Sequence, residues 1–152
     1  MYKIICVGKI KEDFLVKGIN EYTKRISGFT KLEIIEVKEI NTSDINNNIN
    51  EEGNLILKKI NKDDYVITLE IEGKNLDSVE LSKTLEKLRT YGNSNIVFII
   101  GGSNGLSADV KKRSNMALSF SKFTFPHQLM RLILVEQIYR SLTIEHNKEY
   151  HK

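Results

Sequence analysis

The feature that most restricts this chain is the run Ile96-Val97-Phe98-Ile99-Ile100, followed at once by Gly101-Gly102-Ser103-Asn104-Gly105. A strand with one wet face alternates apolar and polar residues. A strand apolar throughout is covered on both faces, as in the middle of a parallel sheet. Parallel neighbours in turn require crossover connections, most often helices. The segment Asn95–Ile100 therefore commits the chain to an α/β arrangement.

The rest of the sequence alternates accordingly. Strands are expected at Tyr2–Val7, Leu32–Val37, Tyr65–Ile71 (ended by Gly73) and Met116–Ser119. The first helix repeats Phe14, Leu15, Gly18, Tyr22 and Ile26 along one stripe. Ser43 is the expected cap of a second helix running to about Ile60, weakest at Asn46–Asn48 because Asn disfavours helix interiors. Asp77 caps a third, with Val79, Leu81, Leu85 and Leu88 on one side and Gly92 closing it. A short helix near Ala108–Ser114 and a long one from Pro126 to about Glu145 complete the series. The fold class predicted is α/β: one domain over residues 1–152, with a mostly parallel sheet flanked by helices.

The last helix is apolar around much of its circumference, through Leu129, Met130, Leu132, Ile133, Leu134, Val135, Ile138, Tyr139 and Leu142. Such a helix needs burial on two sides, and a second subunit is the economical source, so a homodimer is expected.

Composition removes several function classes. Five residues is the longest apolar run, far below the ~18–20 of a membrane span. The N-terminus carries Lys3 and no small-residue cleavage site, so it reads as a strand and not as a signal peptide. Cys6 is the only cysteine, which precludes an internal disulfide or a thiolate metal cluster and points to a cytoplasmic protein. As a lone thiol in a strand it reads as a small buried hydrophobe. Residues 1–100 carry 15 basic and 16 acidic side chains, whereas residues 101–152 carry 8 and 4. That basic excess suits an anionic partner such as nucleic acid, or is surface variation.

Three segments hold candidate chemistry. Gly101–Gly105 lies at the carboxyl end of a parallel strand, where ligands bind in open α/β sheets. Its G-G-x-x-G spacing is neither the dinucleotide fingerprint nor a P-loop. Ser119–Gln128 alternates Phe120, Phe123 and Phe125 with polar residues. It reads either as a strand with an aromatic face or as a loop closing over a heteroaromatic ligand. Lys148–Lys152 offers an aromatic ring, an imidazole and two cations, suited to stacking and phosphate contact, although a chain terminus more commonly frays. His127, His146 and His151 lack ligand spacing, so no metal site is expected, and His127 reads as a capping or packing residue. Asp63, Asp64, Glu70 and Glu72 read as solvated edges.

Together, VITLEIEGK (66–74), FIIGGSNGLS (98–107), ALSFSKFTFPHQLMRLILVEQIYR (117–140) and the closing YHK (150–152) resemble the RlmH family. These are SPOUT-superfamily methyltransferases of large-subunit ribosomal RNA that modify N3 of a pseudouridine. The resemblance spans the chain and implies a SPOUT-type α/β trefoil knot and a homodimer. It implies S-adenosylmethionine as cofactor, contacted by Leu69, Gly101, Phe120, Ser121, Lys122, Phe123, Thr124 and Phe125. It also implies roles in RNA binding and catalysis for Arg140, Tyr150 and His151, beside the partner subunit's pocket, with the ribosome as partner. The family often has proline or another small residue where this chain has Glu149. Two rival readings stand beside this one: a non-enzymatic ribosome-associated binder whose glycine turn is only structural, and a nucleotide-dependent oxidoreductase, motivated by the glycine-rich turn but lacking its fingerprint.

Overall fold

The computed structural model describes all residues, Met1–Lys152. In chain order the elements are β1 (Tyr2–Val7), α1 (Asp13–Ile26), β2 (Leu32–Val37), α2 (Ile45–Leu57) and β3 (Tyr65–Asn75). They continue with α3 (Ser78–Thr90), β4 (Ile96–Ile100), α4 (Ala108–Arg113), β5 (Met116–Ser119) and α5 (His127–Glu145). The five strands form one sheet in the order β2-β1-β4-β3-β5, and every neighbouring pair is parallel. The apolar run is thus the middle strand, and all its residues are buried. No helix is long and apolar enough to cross a membrane.

The pleat of β4 divides its side chains between two cores. Ile96, Phe98 and Ile100 join Tyr2, Ile4, Ile67 and residues of α1, α3 and α5. Val97 and Ile99 join Ile5, Val7 and Val66 beneath Ile56 of α2 and Val110 of α4. Each such side chain contributes about 1.5–3 kcal/mol through burial. Cys6 is buried among them, and burial pushes its thiol up to about 12, so it stays a neutral thiol at physiological pH.

The structure moves several expected boundaries. Asp44, not Ser43, caps α2: its side chain accepts from Asn47 N at 3.1 Å. The asparagines expected to weaken α2 include Asn48, which is buried and holds the preceding loop by accepting from Thr42 N and donating to Thr42 O. Asp77 does cap α3, reciprocally with Glu80 at 2.8 and 2.7 Å. Phe14, expected on the buried stripe of α1, is 67% exposed; Leu15, Ile19 and Ile26 are the buried residues.

β3 does not stop at Gly73. Leu69 and Lys74 both register with Leu118 of β5, so residues 70–73 form a bulge that leaves the ladder and rejoins it. Gly73 is required there, because a Cβ would fall 2.7 Å from the Ala117 carbonyl carbon and 2.8 Å from Leu118 N.

α5 packs between α1 and α3 on one face of the sheet. Gly18 of α1 lets Leu132 approach to 3.1 Å of where a Cβ would stand. Leu134, Val135, Ile138 and Leu142 are buried within the chain, while Leu129, Met130, Leu132, Ile133 and Tyr139 remain part-exposed.

Candidate active site

The carboxyl ends of β3, β4 and β5 surround a cleft of about 950 Å³. Its first wall is the β3 bulge, from Leu69 to Glu72. Its second is the turn after β4. Gly105 has φ +87° and donates to Gly102 O at 3.1 Å, which folds the turn back on itself. A Cβ on Gly101 would lie 2.9 Å from both the carbonyl carbon and oxygen of Gly105. Glycine at 101 therefore lets the turn close, and bare backbone is left on that side of the cleft. Gly53 of α2 supports the turn from behind, where any Cβ would collide with Ser107 Oγ, the N-cap of α4.

The third wall is the loop from Phe120 through Phe125, irregular and not the strand its alternation also allowed. Ser119 Oγ donates to Ser121 O at 3.1 Å, and Phe123 N donates to Ser121 Oγ at 3.0 Å. These bonds hold the loop in a tight curve and leave the Phe123 ring 78% exposed at the cleft mouth. Ile71, in the β3 bulge, lines the same cleft and is 52% exposed. Two open apolar side chains facing one cleft are suited to cover a flat ligand.

Leu69, Gly101, Phe120, Ser121, Phe123, Thr124 and Phe125 all line this cleft. Lys122 does not; it is exposed outside the wall. Glu70 and Glu72, read from sequence as solvated edges, line it too. Glu70 accepts from Thr68 Oγ1 at 2.6 Å and faces Lys111 Nζ at 3.7 Å. Acidic residues alternating with Leu69 and Ile71 at a strand's carboxyl end were the available signal. His127 joins the wall with its Nε2 buried and without a hydrogen-bond partner.

Arg140, Tyr150 and His151 are gathered elsewhere. The Arg140 guanidinium sits 4.7 Å from the Tyr150 ring centroid and donates to His151 Nδ1 at 3.2 Å. Glu136, which sequence reading passed over despite its helical i,i+4 spacing to Arg140, ties them together. Its Oε1 accepts from Arg140 Nε at 2.9 Å, from Arg140 NH2 at 2.6 Å and from the Tyr150 hydroxyl at 3.1 Å. Tyr22 of α1 meets the same hydroxyl at 3.2 Å, and Tyr139 packs edge-on against the Tyr150 ring. The tail is thus bound and does not fray. Burial, the Tyr22 hydroxyl and the Glu136 carboxylate raise the Tyr150 pKa well above the ordinary tyrosine range. Burial opposes the Arg140 charge, but the hydrogen bonds to Glu136 outweigh it and the pKa is raised.

The cluster and the cleft occupy opposite ends of α5. Arg140 lies thirteen residues beyond His127, roughly 20 Å along the axis. None of the three cluster residues lines the cleft of its own chain.

Comparison with known proteins agrees with this architecture. Solved structures of a probable methylase family protein from Haemophilus influenzae and a probable methyltransferase from Bordetella pertussis share the fold. Their TM-scores are 0.56 and 0.57 at 12% and 9% identity, covering 99% and 93% of this chain and 70% and 95% of theirs. The ribosomal RNA large subunit methyltransferase H of Pediococcus pentosaceus is 55% identical over 99% of this chain and 98% of its own. The protein of the same name from Fusobacterium nucleatum is 53% identical over 98% and 97%. The SPOUT methyltransferase family model matches residues 1–151, and with relatives this similar along their whole length the chain belongs to the SPOUT methyltransferases.

Proposed function

We propose that this protein is an S-adenosylmethionine-dependent methyltransferase of large-subunit ribosomal RNA. It acts on N3 of a pseudouridine in the assembled ribosome, as a cytoplasmic homodimer whose single domain is threaded into a trefoil knot. The observation that carries this reading is convergence. Leu69, Gly101 and Phe120–Phe125, distant in sequence, line one cleft in a chain of this family.

The cleft suits the cofactor chemically. Bare backbone at Gly101 and Gly102 admits a flat ring, while Phe120, Phe123 and Ile71 supply apolar cover. Glu72 places a carboxylate on the same wall, complementary to a sulfonium cation, whereas Glu70 is engaged by Thr68 and Lys111. Bound there, S-adenosylmethionine supplies an already activated methyl group. The protein's work is then largely orientation and control of the acceptor's charge.

N3 must shed a proton before or as it takes the methyl. The cluster on α5 is arranged to favour that loss. Tyr150 is held as a phenol and is no base at neutral pH. Because Arg140 donates to His151 Nδ1, that nitrogen presents its lone pair and the imidazole proton is on Nε2. The groups offered outward are therefore donors: the Arg140 guanidinium and His151 Nε2–H. Donors stabilise the negative charge that spreads over the ring's carbonyl oxygens once N3 is deprotonated, with the proton passing to water. The distance along α5 separates this cluster from its own cleft, so the partner subunit's cleft is its target.

The test incubates the protein and labelled cofactor with ribosomes lacking the modification, then maps the methyl group. Label at N3 of a large-subunit pseudouridine is expected. Absence of label on ribosomal RNA overturns the assignment, and calorimetry showing no saturable binding of S-adenosylmethionine would favour a non-enzymatic binder.

A further inference from the structure

A second cavity, of about 510 Å³, opens at the same edge of the sheet. It is built by the paired ends of β1 and β2. Val7 and Val37 are in register, Gly8 N donates to Val37 O at 2.8 Å, and Gly8 turns the chain with φ +85°. Lys38 follows the paired Val37 directly and Lys9 follows the Gly8 turn, with Lys11 two residues on, and all three line the cavity with Gln128.

Its charge is unbalanced. None of these lysines forms an ion pair. Of the two carboxylates on the wall, Glu36 is already held by Arg131 at 2.6 Å, which leaves only Glu39 against three ammonium groups. The buried Arg131 guanidinium also donates to Gly8 O at 2.9 Å, and its Nε has no partner. The N-terminus of α5 adds its positive dipole end, with no capping side chain and no acidic residue in the first turn. Three exposed ammonium groups gathered at one open cavity repel, and an anion between them relieves the repulsion.

The cavity and the cofactor cleft meet at the start of α5. His127 and Gln128 are consecutive; His127 lines the first space and Gln128 the second. His127 Nε2 lies 3.8 Å from where a Gly8 Cβ would be.

We propose that this cavity is a phosphodiester-binding site. Lys9, Lys11 and Lys38 neutralise phosphates of the RNA strand next to the target nucleotide, and Gln128 orients them, while the target base enters the cofactor cleft. The inference rests on the reading that the chain methylates RNA. An open cavity with three exposed lysines fits several phosphates along a strand better than one enclosed anion.

The experiment uses the full-length variant Lys9→Gln/Lys11→Gln/Lys38→Gln, with Lys11→Glu alone as a second variant should the triple one fold poorly. Methyl transfer to unmodified ribosomes is followed across a salt series, with melting temperature and S-adenosylmethionine affinity measured alongside. KM for ribosomes should rise at least ~10-fold, with cofactor affinity unchanged. The dependence of log KM on log salt should flatten by about 0.7 for each phosphate that is no longer neutralised. A folded variant whose KM and salt slope match wild type overturns the inference while leaving the methyltransferase reading intact. If the wild-type protein transfers no methyl, the same comparison is made by binding to single-stranded RNA, where an unchanged salt slope again overturns it. Inorganic phosphate titrated into both proteins separates the sources of the anion. Saturable phosphate binding abolished in the variant, with RNA binding unaffected, would make this a small-anion site and refute the RNA assignment.

Discussion

Gly101→Ala tests the link between the turn and the cleft. The new methyl would stand 2.9 Å from the Gly105 carbonyl carbon, the Gly105 carbonyl oxygen and Leu106 Cδ2. Two of these are backbone atoms of a turn pinned by the Gly105–Gly102 hydrogen bond, so neither a rotamer change nor a small side-chain shift relieves the clash. Overpacking of this kind costs about 1–3 kcal/mol, or about 2–12 °C in melting temperature for a domain of this size. Relief requires the turn to open toward the cleft, so S-adenosylmethionine affinity should fall at least ~10-fold. Gly105→Ala and Gly92→Ala separate space from conformation. Both positions have positive φ (+87° and +96°) and nothing within 4 Å of an added Cβ. Each should cost about 1–2 kcal/mol through backbone strain alone, and Gly92→Ala, outside the cleft, should leave cofactor affinity unchanged. Scanning calorimetry and titration calorimetry measure the two quantities on the same samples. A Gly101→Ala protein that melts and binds like wild type would refute the closure of this turn against Gly105.

Glu136→Gln keeps the shape of the α5 cluster but removes its charge. It should lower kcat about tenfold and bring the Tyr150 pKa back down, read as phenolate absorbance in an alkaline titration, with stability lowered by about 1–3 kcal/mol because the largely buried carboxylate accepts from Arg140 and Tyr150. Cys6 and Tyr2 have folded-state pKa values raised by burial to about 12, from 9.0 and 10.0. The folded state therefore holds protons that the unfolded chain gives up. Their stabilising contribution is full below pH 9 and is lost as pH rises toward 12, and Cys6→Ala should remove the part of that decline that begins near pH 9. Native Cys6 should also resist thiol reagents at about pH 8 until the protein unfolds. Phe98→Ala empties the centre of the larger core and should cost about 3–5 kcal/mol, seen as a large drop in denaturant midpoint.

What could be read from the sequence was what neighbouring residues decide among themselves. Alternation of strand and helix, the Asp77 cap and the two-sided burial of Ile96–Ile100 all come from spacings within a few residues. So does the glycine turn after that strand, whose place at a strand's carboxyl end marked it as a ligand position. The neighbouring phenylalanine loop stayed ambiguous, since alternation alone could not separate strand from loop.

Only the tertiary structure decided the rest, because it depends on groups far apart in the chain. The bulge in β3 exists because Leu69 and Lys74 share Leu118 as a partner, and it carries Glu70 and Glu72 into the cleft. The apolar girth of α5 suggested a second subunit; the fold buries Leu134, Val135, Ile138 and Leu142 within the chain and leaves the other five named residues part-exposed. The tail's order comes from Tyr22 and Glu136, the former 128 residues away from Tyr150. No local pattern encodes such a meeting, since each residue there looks ordinary until the fold brings its partner to it.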